Sequence, residues 1–329
     1  MLYIYTVKCL ISQEASMARN KVQFQKGYSL GEFFQAYGTE GQCFDALFQW
    51  RWPNGFQCPF CAHDQYCKLT QRQLLQCNRC RRQTSITAGT ILQSTKLPLT
   101  LWFQAMYLIT QDKKGLSAMR LHRQLGISYN AAWRLKHKLM QVMMERDDDR
   151  KLAGFIEVDD AYLGGERAGG KRGRGADAKT PFVAAVETTS EGHPTRIRLS
   201  VVKGFKTQEI LNWSQKYLEV GSTVISDGLA CFNAVSEIGC AHDRIVCGGG
   251  RASVEEPEFY WVNTVLGNLK TSLRSTYHAV RSKYAQRYLS EFQYRFNRRF
   301  DLRILIPRLA YAAVRTPPMP EKLLKIGLG

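Results

Sequence analysis

Apolar and polar positions change their spacing along the chain, and each spacing predicts a different element. Residues 29–50 and 97–145 carry apolar residues at three- and four-residue intervals, the period of helices with one buried face. Between them, residues 58–92 contain short runs typical of strands and tight turns. The first half is therefore expected to be helical with a small β-module inside it.

The second half has a strand-forming pattern. Turn residues and helix-like segments separate four β-branched runs, which are FIEV, FVAAVET, RIRLSVV and TVIS. From Val262 to about Tyr311 the apolar spacing is helical again. Strands that alternate with helices indicate an α/β fold. The acidic run at 145–150 predicts a solvated boundary, and the Lys- and Gly-rich run at 166–179 predicts a loop.

The charge distribution indicates a binding partner. The chain has 46 Lys and Arg against 28 Asp and Glu, a net charge of +18. Between Asp64 and Glu145 the only acidic residue is Asp112, and residues 268–303 carry nine Lys and Arg against two acids. This segregation favours nucleic acid, bound mainly through its phosphates, over a generally basic solvated surface.

Hydropathy and cysteine usage indicate the compartment. No apolar run reaches the roughly 18 residues of a membrane-spanning helix. Four of the ten cysteines form two tight pairs and the others are scattered, a pattern typical of a reducing cytoplasm with one metal site. We expect a cytoplasmic protein associated with the nucleoid. Met17 is an alternative start, so residues 1–16 are given no structural role.

The paired cysteines predict a zinc site. CPFC and CNRC give two Cys-x2-Cys pairs separated by fifteen residues, and each pair can offer two thiolates to one tetrahedral Zn2+. The predicted ligands are Cys58, Cys61, Cys77 and Cys80. Arg79, Arg81 and Arg82 lie beside them and are candidate DNA contacts. The alternatives are a protein-binding ribbon and two unrelated structural cysteine pairs.

Residues 116–139 predict two helices around a turn. Gly126 is expected to end the first helix and Ser128 to cap the second. The residues expected to face inward are Leu121, Leu125, Ile127, Ala132, Leu135 and Leu139. The residues left to face DNA, as on a recognition helix, are Asn130, Arg134, Lys136 and Lys138. The alternatives are an ordinary hairpin with a basic face, and an Arg134 that only anchors a phosphate.

Two apolar strands end in aspartate. FIEVDDAYLGG carries Asp159 and Asp160, and strand alternation places Asp159 on the face of Glu157, opposite Asp160. TVISDGLACF carries Asp227 before a glycine turn. Functional residues gather at strand ends in α/β sheets, and converging carboxylates need cations such as Mg2+. Two ions about 4 Å apart can activate water or a 3′-hydroxyl at a phosphodiester. Taken alone, each aspartate fits a turn cap better than a metal ligand.

Several motifs in order carry a family resemblance. RWPNGFQCPFC and CNRC resemble the zinc ribbon of bacterial IS1595-type (ISXO2-like) insertion-sequence transposases, and four further runs resemble motifs of their catalytic domain. Those runs are EVDDAYLGG, SDGLACF, WVNTVLGNLK and YRFNRR. The match extends from about Phe33 to about Leu305. It implies an α/β protein with an RNase H-like catalytic core, a mixed sheet with flanking helices, after a zinc ribbon and a helix-turn-helix module.

The resemblance also implies site residues. It makes Asp159 the first metal ligand and Asp227 the second. Many relatives have glutamate at the third position, where this chain has Leu266, whereas a subset uses asparagine. Asn263 fits best, with 35 residues between it and Asp227, and Asn268 is the alternative. An Asn263 that only caps or packs is a further alternative.

Three basic residues follow the third position. Lys270, near the helical face of Asn263, would contact DNA beside the scissile phosphate, and Arg274 and His278 are further candidates. Because an amide brings no negative charge, weaker affinity for one ion is expected at the third position.

These features predict a transposase that binds the terminal inverted repeats of its element and catalyses strand cleavage and strand transfer. We expect structural Zn2+, catalytic Mg2+ or Mn2+, double-stranded DNA at element ends and target, and a homo-oligomer on DNA, without a membrane. The alternative is a catalytically inactive DNA-binding regulator derived from a transposase. A structural protein held by zinc is a third.

The same features divide the chain into five parts. Residues 1–28 are an N-terminal extension and residues 311–329 a C-terminal tail. Between them lie the zinc ribbon (29–92), the helix-turn-helix region (93–150) and the catalytic domain (151–310).

Overall fold

The computed structural model describes Val22 and residues 25–148, 150–164, 179–246 and 257–327. The alternative start at Met17 and residues 166–178 of the predicted loop lie outside these residues. In the part of the chain that is described, no helix is long and apolar enough to cross a membrane.

The first half contains five helices and a three-stranded sheet among the described residues. The helices are α1 (Leu30–Tyr37), α2 (Glu40–Arg51), α3 (Leu99–Gln111), α4 (Ala118–Leu125) and α5 (Tyr129–Asp148), and the strands are β1 (Tyr66–Leu69), β2 (Leu74–Cys77) and β3 (Gln83–Ser85). Ser29 and Thr39 start α1 and α2 with reciprocal capping boxes to Glu32 and Gln42. The expected helices and the β-module between them are confirmed.

The α4–α5 hairpin forms where the local signals predict it. Gly126 ends α4 at φ 64°, a conformation that favours glycine, and the Ser128 hydroxyl accepts from the Ala131 N–H at 3.2 Å at the start of α5. The predicted inward residues are buried in the N-terminal core or packed against it: Leu121, Leu125, Ile127, Ala132, Leu135 and Leu139. Both the turn and the apolar stripe are confirmed.

The second half is built on a mixed five-stranded sheet. Its strands are β4 (Phe155–Leu163), β5 (Thr180–Thr188), β6 (Pro194–Val201), β7 (Thr223–Asp227) and β8 (Ala241–Ile245), in the order β6-β5-β4-β7-β8. β4, β5 and β6 are antiparallel neighbours, whereas β7 and β8 run parallel to β4. The four predicted strands are confirmed. Strand β8 was not predicted, because its sequence, AHDRI, lies on an exposed edge and lacks an apolar run.

Helices cover both faces of this sheet. Ile156 and Val158 pack with α6 (Thr207–Tyr217) and the 3-10 run Ala230–Ile238. Ala184 and Val186 pack with α7 (Tyr260–Thr276) and α8 (Ala285–Asn297) on the other face. Asp159 pairs directly with Ala184, so its side chain belongs to the face that α7 covers.

Helix α8 also covers the edge of strand β6. The N–H groups of Ile197, Leu199 and Val201 donate to the amide oxygens of Asn297, Gln293 and Gln286, each at 2.8 Å. These side-chain amides replace a neighbouring strand and leave fewer backbone groups unpaired at the edge.

Two helices near the C-terminus return to the first half. α9 (Leu305–Ala313) packs into the N-terminal core through Leu305, Ile306 and Leu309. α10 (Glu321–Ile326) lies against α5 and buries Leu324. The boundary expected at residue 310 therefore falls inside a helix of the N-terminal core.

Candidate metal centres and DNA-facing residues

Four cysteine sulfurs meet at the two turns of the ribbon. The Sγ atoms of Cys58, Cys61, Cys77 and Cys80 lie within 4.8 Å of one another. The Cys58–Cys80 and Cys61–Cys77 sulfur pairs are each 3.6 Å apart. Sulfurs bound at about 2.3 Å around one tetrahedral ion are separated by roughly 3.8 Å, so this donor set fits Zn2+.

The two turns have the same backbone hydrogen bonds. The Cys58 carbonyl accepts from the Ala62 N–H at 2.9 Å, and the Cys77 carbonyl accepts from the Arg81 N–H at 3.0 Å. Ala62 and Arg81 both have φ 59°, the left-handed region. A repeated turn therefore delivers two sulfurs from each side of the site.

Backbone groups also favour thiolates here. Burial raises the pKa of the Cys77 thiol, but hydrogen bonds from the N–H groups of Cys80 and Arg79, together with those of the Cys61 and Cys80 thiols, outweigh it and lower the pKa to about 6. For Cys61 the His63 N–H lowers the pKa, whereas burial and the neighbouring thiols together raise it to about 11. All four thiols ionise together only when a cation offsets their repulsion.

The carboxylates of Asp159, Asp160 and Asp227 form a second cluster, with oxygens within 4.8 Å of one another. β4 and β7 pair in parallel up to Val158 and Ser226, so Asp159 and Asp227 occupy the next positions on neighbouring strands. The two aspartates predicted on separate strands are thus brought together, but the expectation that the first strand ends at its aspartates is wrong, because β4 continues to Leu163.

Asp160 also joins this cluster, although strand alternation predicts it on the opposite face. β7 ends at Asp227, so no β7 residue pairs with Asp160 on that side. The alternation that correctly assigned Asp159 to the face of Glu157 therefore did not reveal how close the Asp160 carboxylate lies.

The electrostatics of this cluster are unfavourable without a cation. Burial, followed by the charges of Asp160 and Asp227, raises the pKa of Asp159 to about 7. Lys270 acts in the other direction, which places its ammonium within electrostatic range of Asp159. Carboxylate oxygens grouped in this way are the ligands that Mg2+ accepts.

Glu157 joins β4 to helix α7, a role that the sequence analysis did not find. Its Oε2 accepts from the Val262 N–H at 2.7 Å at the start of α7. Burial raises the pKa of Glu157 to about 7, although the N–H groups of Val262 and Trp261 lower it. The alternation in EVDD, which puts Glu157 beside Asp159, was the available signal.

Helix α7 presents one face toward the aspartates. Asn263 and Lys270 are seven residues apart, which is almost two full turns, so they share a face. Asn268 lies about 160° around the helix from Lys270. Leu266 is buried in the core beneath the helix. Asn263 is half-buried and Asn268 is exposed.

The predicted DNA contacts differ in exposure. Arg79, Arg81 and Arg82 are exposed on the ribbon, and the Arg82 guanidinium lies 4.7 Å from the centre of the exposed Phe60 ring. Arg274 is exposed on α7 and Asn130 at the start of α5. Arg134 is exposed and forms an ion pair with Glu321 of α10 at 3.1 Å.

The prediction that Lys136 faces DNA is wrong. Its side chain is 1% exposed, and its ammonium donates to Glu291 at 2.8 Å and to the Tyr277 hydroxyl at 2.7 Å. The helical pattern assumed one buried face, whereas α5 packs on the N-terminal core and also on α8.

Lys138 is likewise turned inward. It is half-buried, and its ammonium donates to the Ile91 carbonyl at 2.7 Å. The outward polar face of α5 is therefore narrower than the sequence predicts.

Comparisons with known proteins agree with this geometry. The ISXO2-like transposase domain matches residues 151–297, and the transposase zinc-ribbon domain matches residues 38–83. The first match contains the sheet and the three aspartates, and the second contains the four cysteines. Together the two matches cover more than half of the chain. Both matched domains are transposase domains, and one of them is a zinc ribbon.

One curated relative is a protein in a transposable element. An uncharacterized protein in the transposable element ISH50 of Halobacterium salinarum is 26% identical over 228 residues, which is 62% of this chain and 72% of that protein. The chain therefore contains both domains of the IS1595-type (ISXO2-like) insertion-sequence transposases.

Proposed function

We propose that the protein binds the terminal inverted repeats of its element and catalyses metal-dependent DNA strand cleavage and strand transfer. The observation that carries this proposal is the meeting of Asp159, in the middle of β4, with Asp227, at the end of the adjacent parallel strand β7. The proposed ligand set is completed by Asn263, and Asp160 lies close enough to contribute a further oxygen.

Bound Mg2+ or Mn2+ would offset the repulsion of the aspartates and polarise a phosphodiester for attack by water or a 3′-hydroxyl. The chain's own residues hold this arrangement in place. Paired strands fix the backbones of Asp159 and Asp227, and an Asp227 oxygen accepts from the Leu229 N–H at 3.1 Å. Asn263 offers a neutral oxygen, and Lys270 on the same face would hold a phosphate oxygen by its charge.

The proposed fold of this region is an RNase H-like core. The mixed sheet, with Asp159 on its central strand and Asp227 on the parallel neighbour, supports it. The proposed domain limits are those of the sequence analysis, with α9 crossing into the N-terminal core.

DNA recognition is assigned to the first half. The ribbon would contact DNA through Arg79, Arg81 and Arg82, and the α4–α5 hairpin would act as a helix-turn-helix through Asn130 and Arg134. Arg274 would contact DNA beside the catalytic site. We also propose assembly into a homo-oligomer, because two element ends must be held together.

Cleavage of a labelled duplex that carries the element end tests the catalytic proposal. Asp159→Ala and Asp227→Ala are expected to lower cleavage on the order of 1000-fold with Mg2+ or Mn2+ while DNA binding is kept. Asp243→Ala is the matched control, because Asp243 is an exposed carboxylate on the neighbouring strand β8. Full cutting by Asp159→Ala would refute the assignment.

A second candidate function rests on Leu266. Many relatives carry glutamate at this position, whereas here an apolar side chain is buried in the core. The alternative is an inactive DNA-binding regulator. Equal and undetectable cutting by the unaltered protein and by Asp227→Ala, with end binding intact, is the result that this alternative predicts.

A further inference from the structure

A wide cleft opens between the two halves of the molecule, and no residue of the cysteine cluster or of the aspartate cluster lines it. It has a volume of about 1070 Å³ and lies where the end of α5, strand β6, the end of α8 and helix α9 meet. We call it the junction cleft. Its cationic lining residues are Arg146, Arg150, Lys151, Arg196, Arg298 and Arg308, and its acidic ones are Asp147 and Glu219.

In the part of the chain that the structure describes, most of these cations form no ion pair with a carboxylate. Asp147 is buried and already accepts from Arg298 at 2.6 Å and from the amides of Gln293 and Asn297. Across the described residues, no carboxylate forms an ion pair with the five other cations of the cleft, which are Arg146, Arg150, Lys151, Arg196 and Arg308. Like charges held this closely repel one another.

The surrounding structure keeps some of these groups in place. The Arg298 guanidinium stacks on the buried Tyr294 ring at 3.7 Å. Arg198 donates to the carbonyls of Asp147 and Arg150 and so ties the end of α5 to strand β6. Burial, followed by the charge of Arg150, lowers the pKa of Arg196, so the neighbouring charges act on this side chain. The fold thus gathers cations at a cost that a bound polyanion would offset.

The shape and chemistry of the cleft indicate which polyanion. Pockets for small ligands are mostly apolar and enclosed, whereas this cleft is open and its walls carry six cations. Guanidinium groups pair with phosphate oxygens in a bidentate geometry. A phosphodiester backbone is therefore the fitting ligand.

The cleft is separate from the aspartates. Arg196 pairs with Glu187, three positions along β5 from the partner of Asp159, and β6 is two strands from β4. Strand spacings place the two backbones about 14 Å apart. Ile197 and Leu199 point to the face that Asp159 shares, so Arg196 points to the other face.

We propose that the junction cleft binds the phosphate backbone of duplex DNA at a site distinct from the aspartates. This inference rests on the proposed function. The duplex is either a flank of the one that is cut or a second duplex, and the experiment separates these two sources.

The test measures binding by fluorescence anisotropy at several salt concentrations with the full chain. The cleft variant is Arg146→Gln/Arg150→Gln/Arg308→Gln, which removes three exposed cations. Each lost phosphate contact flattens the slope of log K against log salt concentration by about 0.9, so a change of roughly 2–3 is expected. The charge-matched control, Lys96→Gln/Arg281→Gln/Lys322→Gln, removes exposed cations elsewhere and is expected to keep the slope.

One arm uses a duplex that carries the element end. The other saturates the protein with unlabelled end duplex and measures capture of a second, labelled duplex. A loss in the second arm assigns the cleft to a second duplex, and a loss confined to the first arm assigns it to the cut duplex. Unchanged slopes in both arms, or an equal change in the control, would overturn the proposal.

Two further variants keep the result interpretable. Arg308→Gln alone is expected to flatten the slope by about 0.9 and tests the cleft if the triple variant folds poorly. Asp159→Ala/Asp227→Ala is expected to bind with an unaltered slope while it fails to cut. Failure of the catalytic proposal, seen as no cutting by any protein, is thereby distinguished from failure of the cleft proposal, seen in binding.

Discussion

The two clusters of candidate metal ligands are assembled in opposite ways. In the ribbon, each cysteine pair lies within one turn, and that turn's own hydrogen bonds place its two sulfurs. In the sheet, Asp159 and Asp227 belong to separate strands and meet only because β4 and β7 are parallel neighbours. The spacing of neighbouring residues is enough to predict the first cluster, whereas the second cluster forms only when the sheet has formed.

The clusters also differ in what they do to stability. Cys58 and Cys77 are buried in the same core as Phe56 and Leu75, so the ribbon site is part of that core. Asp159 and Asp160 lie in the middle of β4 and Asp227 at the end of β7, and burial, followed by the charges of Asp160 and Asp227, raises the pKa of Asp159 to about 7. We infer that zinc strengthens the fold at one site and that the aspartates weaken it at the other until a cation binds.

Loss of one thiolate is expected to give the largest effect. Cys77→Ser should lower the melting temperature of the N-terminal half by roughly 10 °C or more, because a three-ligand site holds zinc weakly and the core around it loosens. Circular dichroism during heating, with zinc content measured on the same sample, would check this.

Cys67→Ser is the matched control. Cys67 is exposed on β1 and lies outside the cluster, so its removal should change neither zinc content nor melting. If Cys77→Ser kept full zinc and the same melting temperature, the metal would not be part of the core.

Loss of one carboxylate is expected to act with the opposite sign. Asp159→Asn should raise the free energy of unfolding of the metal-free protein by ~1–2 kcal/mol at pH 8, because it removes one of three repelling charges. Urea unfolding of the zinc-loaded protein, after dialysis into buffer without Mg2+ or Mn2+, would measure it. Asp243→Asn, on an exposed residue of β8, should leave the value within about 0.5 kcal/mol.

The local parts of this molecule were predictable because short-range chemistry fixes them. Gly126 and Ser128 set the hairpin between α4 and α5, and the cysteine spacing set the ribbon. The pairing of Asp159 with Asp227 was expected from their strand-end positions. Whether the two aspartates lie on one face depends on the order of the strands in the sheet. The sequence of a single strand does not specify that order.

The missing parts depend on contacts that are distant in sequence. Lys136 has the spacing of an outward residue, yet Glu291 and Tyr277 on later segments surround it. The amides of α8 that cover β6 look like ordinary polar positions of a helix. The role of each of these side chains can be recognised only when the element that it contacts is in place.

Adding a charge at the third position would sharpen the comparison. Asn263→Asp should raise the affinity for Mn2+ about ten-fold, because a carboxylate replaces a neutral amide. The same change should lower the metal-free stability by about 0.5–1 kcal/mol through added repulsion. Titration calorimetry and urea unfolding measure the two effects. Asn268→Asp is the control, since Asn268 lies on another side of α7, and an equal gain there would contradict the choice of Asn263.

The smallest expected effect tests how far the ribbon is a local device. Ala62 has φ 59°, a conformation that disfavours a side chain, so Ala62→Gly should stabilise the zinc-bound protein by about 0.5–1 kcal/mol. Ala131→Gly is the matched control, because Ala131 lies in α5 and the same substitution there should destabilise by about 1 kcal/mol. Chemical denaturation of both variants checks the pair of signs. Destabilisation by Ala62→Gly would mean that contacts of the Ala62 methyl group outweigh the backbone conformation of the turn.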